Sequence, residues 1–122
     1  NNKELAQLLG EALTLRAFIY VDLMKAWGDV PARFEPLTTE TLYLPKSDRD
    51  VIYKQIIADL EEAATLVAWP KENAATQSTE RVNKAFVKGF LARTCLYAAG
   101  YSQRADGSIR RSNDPELAVD KM

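Results

Sequence analysis

Three apolar segments with a helical period, separated by proline and glycine stops, constrain this chain more than any other feature. The first covers about residues 3–27, the second starts near "KSDRD" at a cap formed by Ser47 or Asp48 and ends before Trp69–Pro70, and the third covers about 83–99. Apolar residues that recur every three to four positions are typical of amphipathic helices. The pattern therefore predicts an all-α fold with three long helices.

The segments between the predicted helices carry turn signals. Residues 29–46 contain three prolines, whereas 71–81 and 101–113 are mainly polar, so all three predict loops. In the first loop we expect Phe34, Leu42 and Tyr43 to turn inward. Asp114–Pro115 combines a capping residue with proline at a first helical position, which predicts the start of a fourth helix.

Apolar residues surround the first predicted helix on more than one side. We expect its main inward stripe to be Leu5, Leu9, Ala12, Arg16, Ile19, Leu23 and Trp27. A second stripe beside it consists of Leu8, Leu13, Ala17, Tyr20 and Met24. Because a helix that is apolar over most of its circumference is normally sandwiched between neighbours, we expect this helix to be central. Gly28 then supplies a left-handed residue that closes the helix.

The other two helices are predicted to pack through narrower stripes. In the second helix the stripe is Val51 or Ile52, Ile56, Leu60, Ala63 or Ala64, and Val67. In the third, small residues at Ala85, Gly89 and Ala92 predict the inner face. Since glycine inside a helix costs up to about 1 kcal/mol relative to alanine, Gly89 indicates close packing against another backbone.

Composition excludes several classes of function. Sixteen basic and seventeen acidic residues leave a net charge of −1, without the basic excess of a nucleic-acid-binding protein. No apolar run reaches the roughly 20 residues that span a bilayer. The chain has no histidine, and its single cysteine, Cys95, is expected in a helix interior. Without a histidine base, a phosphate-binding loop or a cluster of metal ligands, no enzyme, cofactor or metal site is predicted.

A weak internal repeat is consistent with paired helices. Residues 17–28, "AFIYVDLMKAWG", align with residues 89–100, "GFLARTCLYAAG", and Phe18 matches Phe90. Each copy precedes a loop and a further helical segment. The chain therefore reads as two successive helix–loop–helix units.

Three ordered motifs resemble those of the SusD/RagB family of surface nutrient-binding lipoproteins. The first, "GEALTLRAFIYVDLMKAWGDVP", is similar to the family's "GEA-x-x-LRA" segment leading into "GDVP". The second, "IIADLEEA", is similar to its "I-x-x-DLEEA". The third, residues 81–97, is similar to its "R-x-x-K-x-A-x-x-x-LLAR-x-x-LY". Positions that carry the resemblance include Arg16, Gly28, Asp29, Pro31, Asp59 and Arg93.

The resemblance implies tetratricopeptide-like helix pairs within a non-catalytic glycan-binding component of an outer-membrane uptake system. It further implies a lipid-anchored protein at the cell surface, partnered by a TonB-dependent outer-membrane transporter. Known members are longer, so we expect residues 1–122 to be a partial helical-repeat domain without the family's N-terminal and C-terminal parts. This part would supply scaffold and transporter contact, and oligosaccharide binding would belong to the full-length protein. The alternative is a helical-repeat adaptor that binds a protein or peptide in a concave groove.

Few individual residues are candidates for ligand binding. Trp69 and Tyr43 lie in or beside loops and could stack on a sugar, although loop aromatics more often fold back on the core. Trp27 ends the predicted inward stripe, which favours a structural role. Arg16 lies among apolar residues and must reach a carboxylate, with Glu11, Asp22 and Asp59 as candidates, because an unpaired buried charge is unfavourable.

Asp29 is expected to stabilise its turn by bonding to nearby amides. Apolar faces that remain uncovered would promote self-association of the chain.

Overall fold

Three α-helices dominate the computed structural model, which describes residues 2–120. The helices are α1 (Asn2–Trp27), α2 (Arg49–Leu66) and α3 (Lys84–Ala99). The prediction of an all-α fold built on three long helices is thereby confirmed. The shorter elements are 3-10 turns at Ala74–Thr76 and Pro115–Leu117 and an antiparallel pair of strands, β1 (Ser102–Gln103) and β2 (Ile109–Arg110).

α2 lies between the other two helices and packs against both. It runs antiparallel to α1, because Gly10 near the start of α1 faces Val67, just after the end of α2, while Gly28 after α1 faces Arg49 at the start of α2. Asp48 caps α2, its side chain accepting a hydrogen bond from the amide of Asp50. The bundle therefore has two ends, one at the C-terminus of α1 and one at its N-terminus.

The predicted inward stripe of α2 is confirmed. Its most deeply buried apolar residues are Ile52, Ile56, Leu60, Ala63 and Val67. Fully burying an aliphatic side chain of this size stabilises the fold by about 1.5–3 kcal/mol, so this stripe is the main apolar contribution to the core.

The main inward stripe predicted for α1 is wrong. Leu5, Leu9, Ile19 and Leu23 are exposed, and Trp27 at its end is 77% exposed. The residues that face α2 are instead Gln7, Gly10, Thr14, Ala17, Tyr20, Val21 and Met24. Only the second predicted stripe contributes apolar contacts, through Leu13, Ala17, Tyr20 and Met24. Small and hydrogen-bonded side chains are selected here because α2 approaches closely: a Cβ atom at Gly10 would lie 2.5 Å from a methyl carbon of Val67.

The inner face predicted for α3 is also wrong. Ala85, Gly89 and Ala92 are exposed, and a Cβ atom at Gly89 would meet no heavy atom within 4 Å. The buried residues of α3 are Val87, Phe90, Thr94, Ala98 and Ala99. The buried face of α3 therefore combines two larger apolar residues, Val87 and Phe90, with smaller ones toward its C-terminal end.

The C-terminal segment is more ordered than a polar loop. The strand pair covers part of 101–113, and a hydrogen bond from the amide of Arg104 to the carbonyl of Ser108 closes its turn. At the predicted start of a fourth helix the described residues form only the 3-10 turn, capped by Asp114. Residues 118–120 continue as a bend and a turn, and the last two residues of that predicted helix, Lys121 and Met122, lie outside the described residues.

Candidate functional site

Arg16 joins α1 to α2 through an ion pair with Asp59. Its Nη2 atom lies 2.5 Å from Oδ2 of Asp59, whose other oxygen accepts a hydrogen bond of 2.9 Å from Gln55. The Asp59 side chain is only 6% exposed, whereas that of Arg16 is 33% exposed. Of the three carboxylates considered from sequence, the structure brings Arg16 to the one on α2. The buried carboxylate is thus neutralised and has both oxygens bonded.

The same arginine anchors the loop between α1 and α2. Its Nη1 donates to the carbonyl of Phe34, and its guanidinium lies 5.0 Å from the centre of the Phe34 ring. The ring of Tyr20 also stacks on the Phe34 ring, with the two ring centres 4.9 Å apart. The Tyr20 hydroxyl donates to the carbonyl of Arg33 and accepts from its amide. Phe34 therefore turns inward as expected, and the loop is held against α1 through it.

Gly28 and Asp29 form the corner that leaves α1. Gly28 has φ +74°, and its amide donates to the carbonyl of Met24, which closes the helix as predicted. The Oδ1 of Asp29 accepts from the backbone amide and from Nε of Arg49, at 3.1 and 3.2 Å. Asp29 therefore bonds across to the start of α2, twenty residues along the chain, rather than to its own turn.

The remaining motif positions are close to this corner or on the surface. Val30 pairs with Ser47 as an isolated bridge, with the Ser47 amide donating to the Val30 carbonyl at 2.9 Å. Pro31 next to it is exposed, and so is Arg93 on α3. The bridge closes the loop at its base, so the corner acts as a structural joint.

A third arginine in an ion pair, not predicted from sequence and more deeply buried than the other two, fixes the strand pair to α2. Arg104 is 7% exposed, and its Nη1 lies 2.8 Å from Oδ1 of Asp50. The second oxygen of Asp50 accepts a 2.6 Å hydrogen bond from Ser112. The sequence signal was an arginine in a polar loop, which on its own does not distinguish a solvated side chain from a buried one.

Trp27 stands at the α1 C-terminal end of the bundle beside a shallow polar depression of about 510 Å³. Lys46, Arg49 and Gln103 line the same depression. The interpretation of Trp27 as a buried end of the helix core is wrong, since this ring is largely exposed. An exposed indole ring can stack on a sugar ring, and the polar side chains around it can hydrogen-bond to hydroxyl groups.

Trp69 lies at the other end of the bundle and is 47% exposed. The ammonium groups of Lys84 and Lys88, one turn apart on α3, lie 5.5 and 5.6 Å from the centre of its ring. Its amide donates to the carboxylate of Glu72. Trp69 is therefore partly covered by lysine side chains, as expected for a cation–π contact on a surface.

The three aromatic candidates do not converge on one site. The Gln7 side chain accepts from the amide of Ala68, which places Trp69 at the level of residue 7 of α1. At a rise of 1.5 Å per residue, the helix separates Trp69 from Trp27 by about 30 Å. Tyr43 is 90% exposed on the loop after α1, so its expected inward orientation is wrong. Each candidate could offer a single stacking surface, and none is paired with another.

An aromatic cluster between α1 and α3 was not identified from sequence. The Phe18 and Phe90 rings lie 5.4 Å apart, and Phe86 stacks on Phe90 at 5.9 Å. Two turns farther along, the Lys25 ammonium lies 5.8 Å from the centre of the Tyr97 ring. The signal was the internal repeat, since its matching phenylalanines, Phe18 and Phe90, are the residues that touch.

The ionisable groups near the core serve structure. The buried carboxylates are bonded to arginines, and among residues 2–120 no three His, Cys, Asp or Glu side chains are placed to hold a metal ion. Partial burial, and to a lesser extent the charge of Glu61, raises the pKa of the half-buried Cys95 thiol. Cys95 is therefore less reactive than a free thiol. None of the helices within the described range has the length and apolarity needed to cross a membrane.

Comparison with protein families places this arrangement in a known group. Residues 1–96 match the model of a SusD-like family described as starch-binding and associating with the outer membrane. SusD-like protein P38 of Formosa agariphila is 30% identical over 119 residues, which cover 94% of this chain. SusD-like protein P25 of the same organism is 31% identical over 74 residues, or 58% of this chain.

Solved structures show the same helical arrangement. A SusD-like protein of Bacteroides fragilis superimposes with a TM-score of 0.69 at 26% identity over 80% of this chain. A laminarin-binding SusD-like protein gives 0.70 at the same identity and coverage. The chain spans only about a fifth of the length of these proteins, between 19% and 22% for P38 and the two structures. With the family model matched across all of α1 and α2 and most of α3, the chain belongs to the SusD-like family.

Proposed function

We propose that this chain acts as the helical scaffold of a non-catalytic glycan-binding component in an outer-membrane uptake system. The observation that carries the proposal is the family match over residues 1–96, since the matched family is described as starch-binding. A relative of similar fold is a laminarin-binding protein, which supports a glucan or another oligosaccharide as the ligand class. Residues 1–122 would then be the helical-repeat part of this component.

The geometry supports a scaffold role for these residues. Three of their buried or partly buried arginines, Arg16, Arg49 and Arg104, bind carboxylates of the same chain and hold loops against α2. The exposed candidates Trp27, Tyr43 and Trp69 stand apart from one another. Oligosaccharide sites need several convergent contacts, so we assign the main glycan affinity of such a component to other parts of the assembly.

The proposed location is the outer-membrane surface, with a lipid anchor on the complete component. The family's description as associating with the outer membrane supports this location. The proposed partner is a TonB-dependent transporter, contacted in part through this helical region. A helical-repeat adaptor in another compartment is the competing function, and nothing in the helix packing favours it over the family's role.

Titration calorimetry with starch and laminarin oligosaccharides tests the scaffold role directly. We expect no saturable heat at micromolar or low millimolar sugar for the 122-residue chain. Micromolar binding that is lost on Trp69→Ala, Tyr43→Ala or Trp27→Ala would contradict the proposal and place a glycan site here. Tyr101→Ala is the matched control, because Tyr101 is 70% exposed but was not a candidate.

Surface accessibility and co-purification test the location and the partner. On intact cells, externally added protease should digest the complete gene product, and a TonB-dependent transporter should co-purify with it in detergent. Protection from protease until the cells are broken would instead support the adaptor function.

A further inference from the structure

The polar depression beside Trp27 is basic, although the chain as a whole has a net charge of −1. Four cationic side chains line it: Lys25, Lys46, Arg49 and Arg104. Among the described residues of its lining the one carboxylate is Asp29, which is bonded to Arg49. Asp50, which pairs with Arg104, adds a second negative charge, so four positive and two negative charges leave an excess of two positive charges. An excess of this kind attracts an anion.

Arg104 carries hydrogen-bonding capacity that the rest of the chain does not use. The residue is 7% exposed, and its Nη1 lies 2.8 Å from Oδ1 of Asp50. Its Nε atom is buried and has no hydrogen-bond partner among residues 2–120. Because an unsatisfied donor on a buried charged group is unfavourable, an acceptor that enters the depression lined by Arg104 would be stabilised there.

Arg49 is held in place before any ligand binds. Its Nε donates to Oδ1 of Asp29 at 3.2 Å, and its side chain is only 15% exposed. Its Nη2 lies over Gly28, where a Cβ atom would come within 2.6 Å of it, so the glycine leaves room for the guanidinium. A guanidinium fixed along one edge presents its other N–H groups in a fixed direction, which suits the paired oxygens of a carboxylate or a sulfate.

Trp27 adds an apolar surface to this basic site. Its ring is 77% exposed and lines the same depression. A small inorganic anion makes no use of such a ring, whereas the C–H face of a sugar stacks on it. The depression, at about 510 Å³, has the size of a small-molecule site.

We propose that this depression binds the acidic group of a sugar, either a carboxylate or a sulfate ester. Arg49, Arg104 and Lys46 would contact the acidic group, and Trp27 would stack on the sugar ring. The acidic group is inferred from the charges of this chain, whereas the sugar rests on the proposed glycan role. A single subsite of this kind adds selectivity for acidic glycans, and the main glycan affinity stays elsewhere.

Nuclear magnetic resonance titration of the 122-residue chain tests the ligand class, with the Trp27 indole N–H and the Arg49 Nε–H signals as reporters. The probes are trigalacturonate, a sulfated trisaccharide, neutral maltotriose and sodium sulfate, all at one ionic strength. At least one acidic trisaccharide should bind tenfold or more tightly than maltotriose, and the tighter of the two identifies the acidic group. Equal responses to acidic and neutral sugars would overturn the proposal. A response to sodium sulfate as strong as that to the acidic sugars would also overturn it, because the site would then bind anions without recognising a sugar.

Two substitutions of exposed residues test the site without disturbing the core. Lys46→Gln and Trp27→Ala should each weaken binding of the acidic trisaccharide at least fivefold. Lys88→Gln and Trp69→Ala are the matched controls, because they remove the same groups at the other end of the bundle. Equal losses at the two ends would show a non-specific charge effect and overturn the assignment.

Calorimetry on the complete gene product tests whether the depression is open there. Lys46→Gln should lower its affinity for the acidic trisaccharide at least threefold. An unchanged affinity in the complete product, with a clear loss in the 122-residue chain, would show that another part of the protein fills the depression and would overturn the proposal. Neither result bears on the scaffold role, which is tested with neutral sugars.

Discussion

The two faces of α1 depart from the usual pattern of helices in soluble proteins, because the buried face includes polar residues and the exposed face carries many large apolar ones. Its inward face, against α2, contains a glutamine, a glycine and a threonine among its buried residues, whereas its outward face carries leucines, an isoleucine and a tryptophan. The polar residues are buried because each is hydrogen-bonded. The Gln7 side chain donates to the carbonyl of Val82 at 3.0 Å and accepts from the amide of Ala68 at 2.9 Å.

In the N-terminal half of α1, close approach and hydrogen bonding, rather than side-chain hydrophobicity, distinguish the buried face, whereas apolar residues occupy it from Ala17 onward. Gly10 allows Val67 into contact with the α1 backbone, and the hydroxyl of Thr14 donates back to the Gly10 carbonyl at 2.7 Å. Buried polar groups are tolerated when they are satisfied in this way. The experiments below test the contrast between the two faces, in order of decreasing expected effect on the chain.

The largest effect is expected at Asp59, whose partner Arg16 lies on the edge between the two faces. Asp59→Ala leaves the Arg16 guanidinium without its carboxylate and should lower the free energy of unfolding by about 3 kcal/mol. This value is at the lower end of the range for a broken buried ion pair, because the Arg16 side chain is 33% exposed and water can solvate it. Urea unfolding of dilute, monomeric protein measures it.

The control at this pair is the double substitution Arg16→Met with Asp59→Leu, which removes both charges. It should change stability by less than about 1 kcal/mol, because no buried charge is left without a partner. Equal losses for the single and the double substitution would show that the ion pair does not account for the effect of Asp59→Ala.

A smaller effect is expected from adding one methyl group to the inward face. In Gly10→Ala the new Cβ atom would lie 2.5 Å from a Val67 methyl carbon and 3.1 Å from the Leu66 Cβ, so α2 must shift. We expect a loss of about 2 kcal/mol, typical of overpacking, measured by thermal and urea unfolding.

Gly89→Ala is the matched control, since both glycines lie inside helices. A Cβ atom at Gly89 meets nothing within 4 Å, so alanine should stabilise the chain by up to about 1 kcal/mol through its higher helix propensity. If Gly89→Ala were the destabilising member of the pair, the close contact would lie on α3, as the sequence suggested.

Two opposite substitutions at adjacent positions, one on each face of α1, test the contrast between the faces. Gln7→Leu makes the inward face more apolar but leaves the Ala68 amide and the Val82 carbonyl without their partner, so we expect a loss of about 1.5 kcal/mol. Leu8→Gln makes the outward face more polar and should change the stability of the monomer by at most about 0.5 kcal/mol. A larger loss for Leu8→Gln, in urea melts of monomeric protein, would show that Leu8 is buried in solution.

The smallest effect concerns Cys95 on α3, outside both faces. Because burial raises the pKa of its thiol, the thiolate fraction at neutral pH falls below that of a free cysteine, and alkylation by iodoacetamide should be slower. The rate should reach half its maximum at a more alkaline pH than for a model thiol. A rate equal to that of a model thiol at neutral pH would contradict the burial of Cys95.

Much of the fold was predictable from local pattern. The three helices end where Gly28, Trp69–Pro70 and Gly100 indicated, because backbone preferences of glycine and proline act within a few residues. The stripe of α2 was also predictable, because its apolar residues recur every three to four positions and so lie on one side of the helix. The partner of Arg16 could be narrowed to three carboxylates, but selecting Asp59 required the distance between two helices.

The candidate surfaces were harder to predict. Trp27 and Tyr43 were assigned to the interior from their neighbours in sequence, yet both are exposed, because an apolar residue near a helix end can point either way. The Phe18–Phe90 contact and the Arg104–Asp50 ion pair join residues more than fifty positions apart, and no local signal reports such a distance.

By itself, the sequence determined the helical class, the helix boundaries and, through three ordered motifs, the family. Only the tertiary structure decided which side of each helix is buried, which residues pair across the bundle, and which apolar face remains exposed. The physical reason is that helix formation and termination depend on neighbours along the chain, whereas burial depends on which backbone can approach. At α1, a glycine and two hydrogen-bonding side chains allowed that approach, and the leucines on the opposite side were left facing outward.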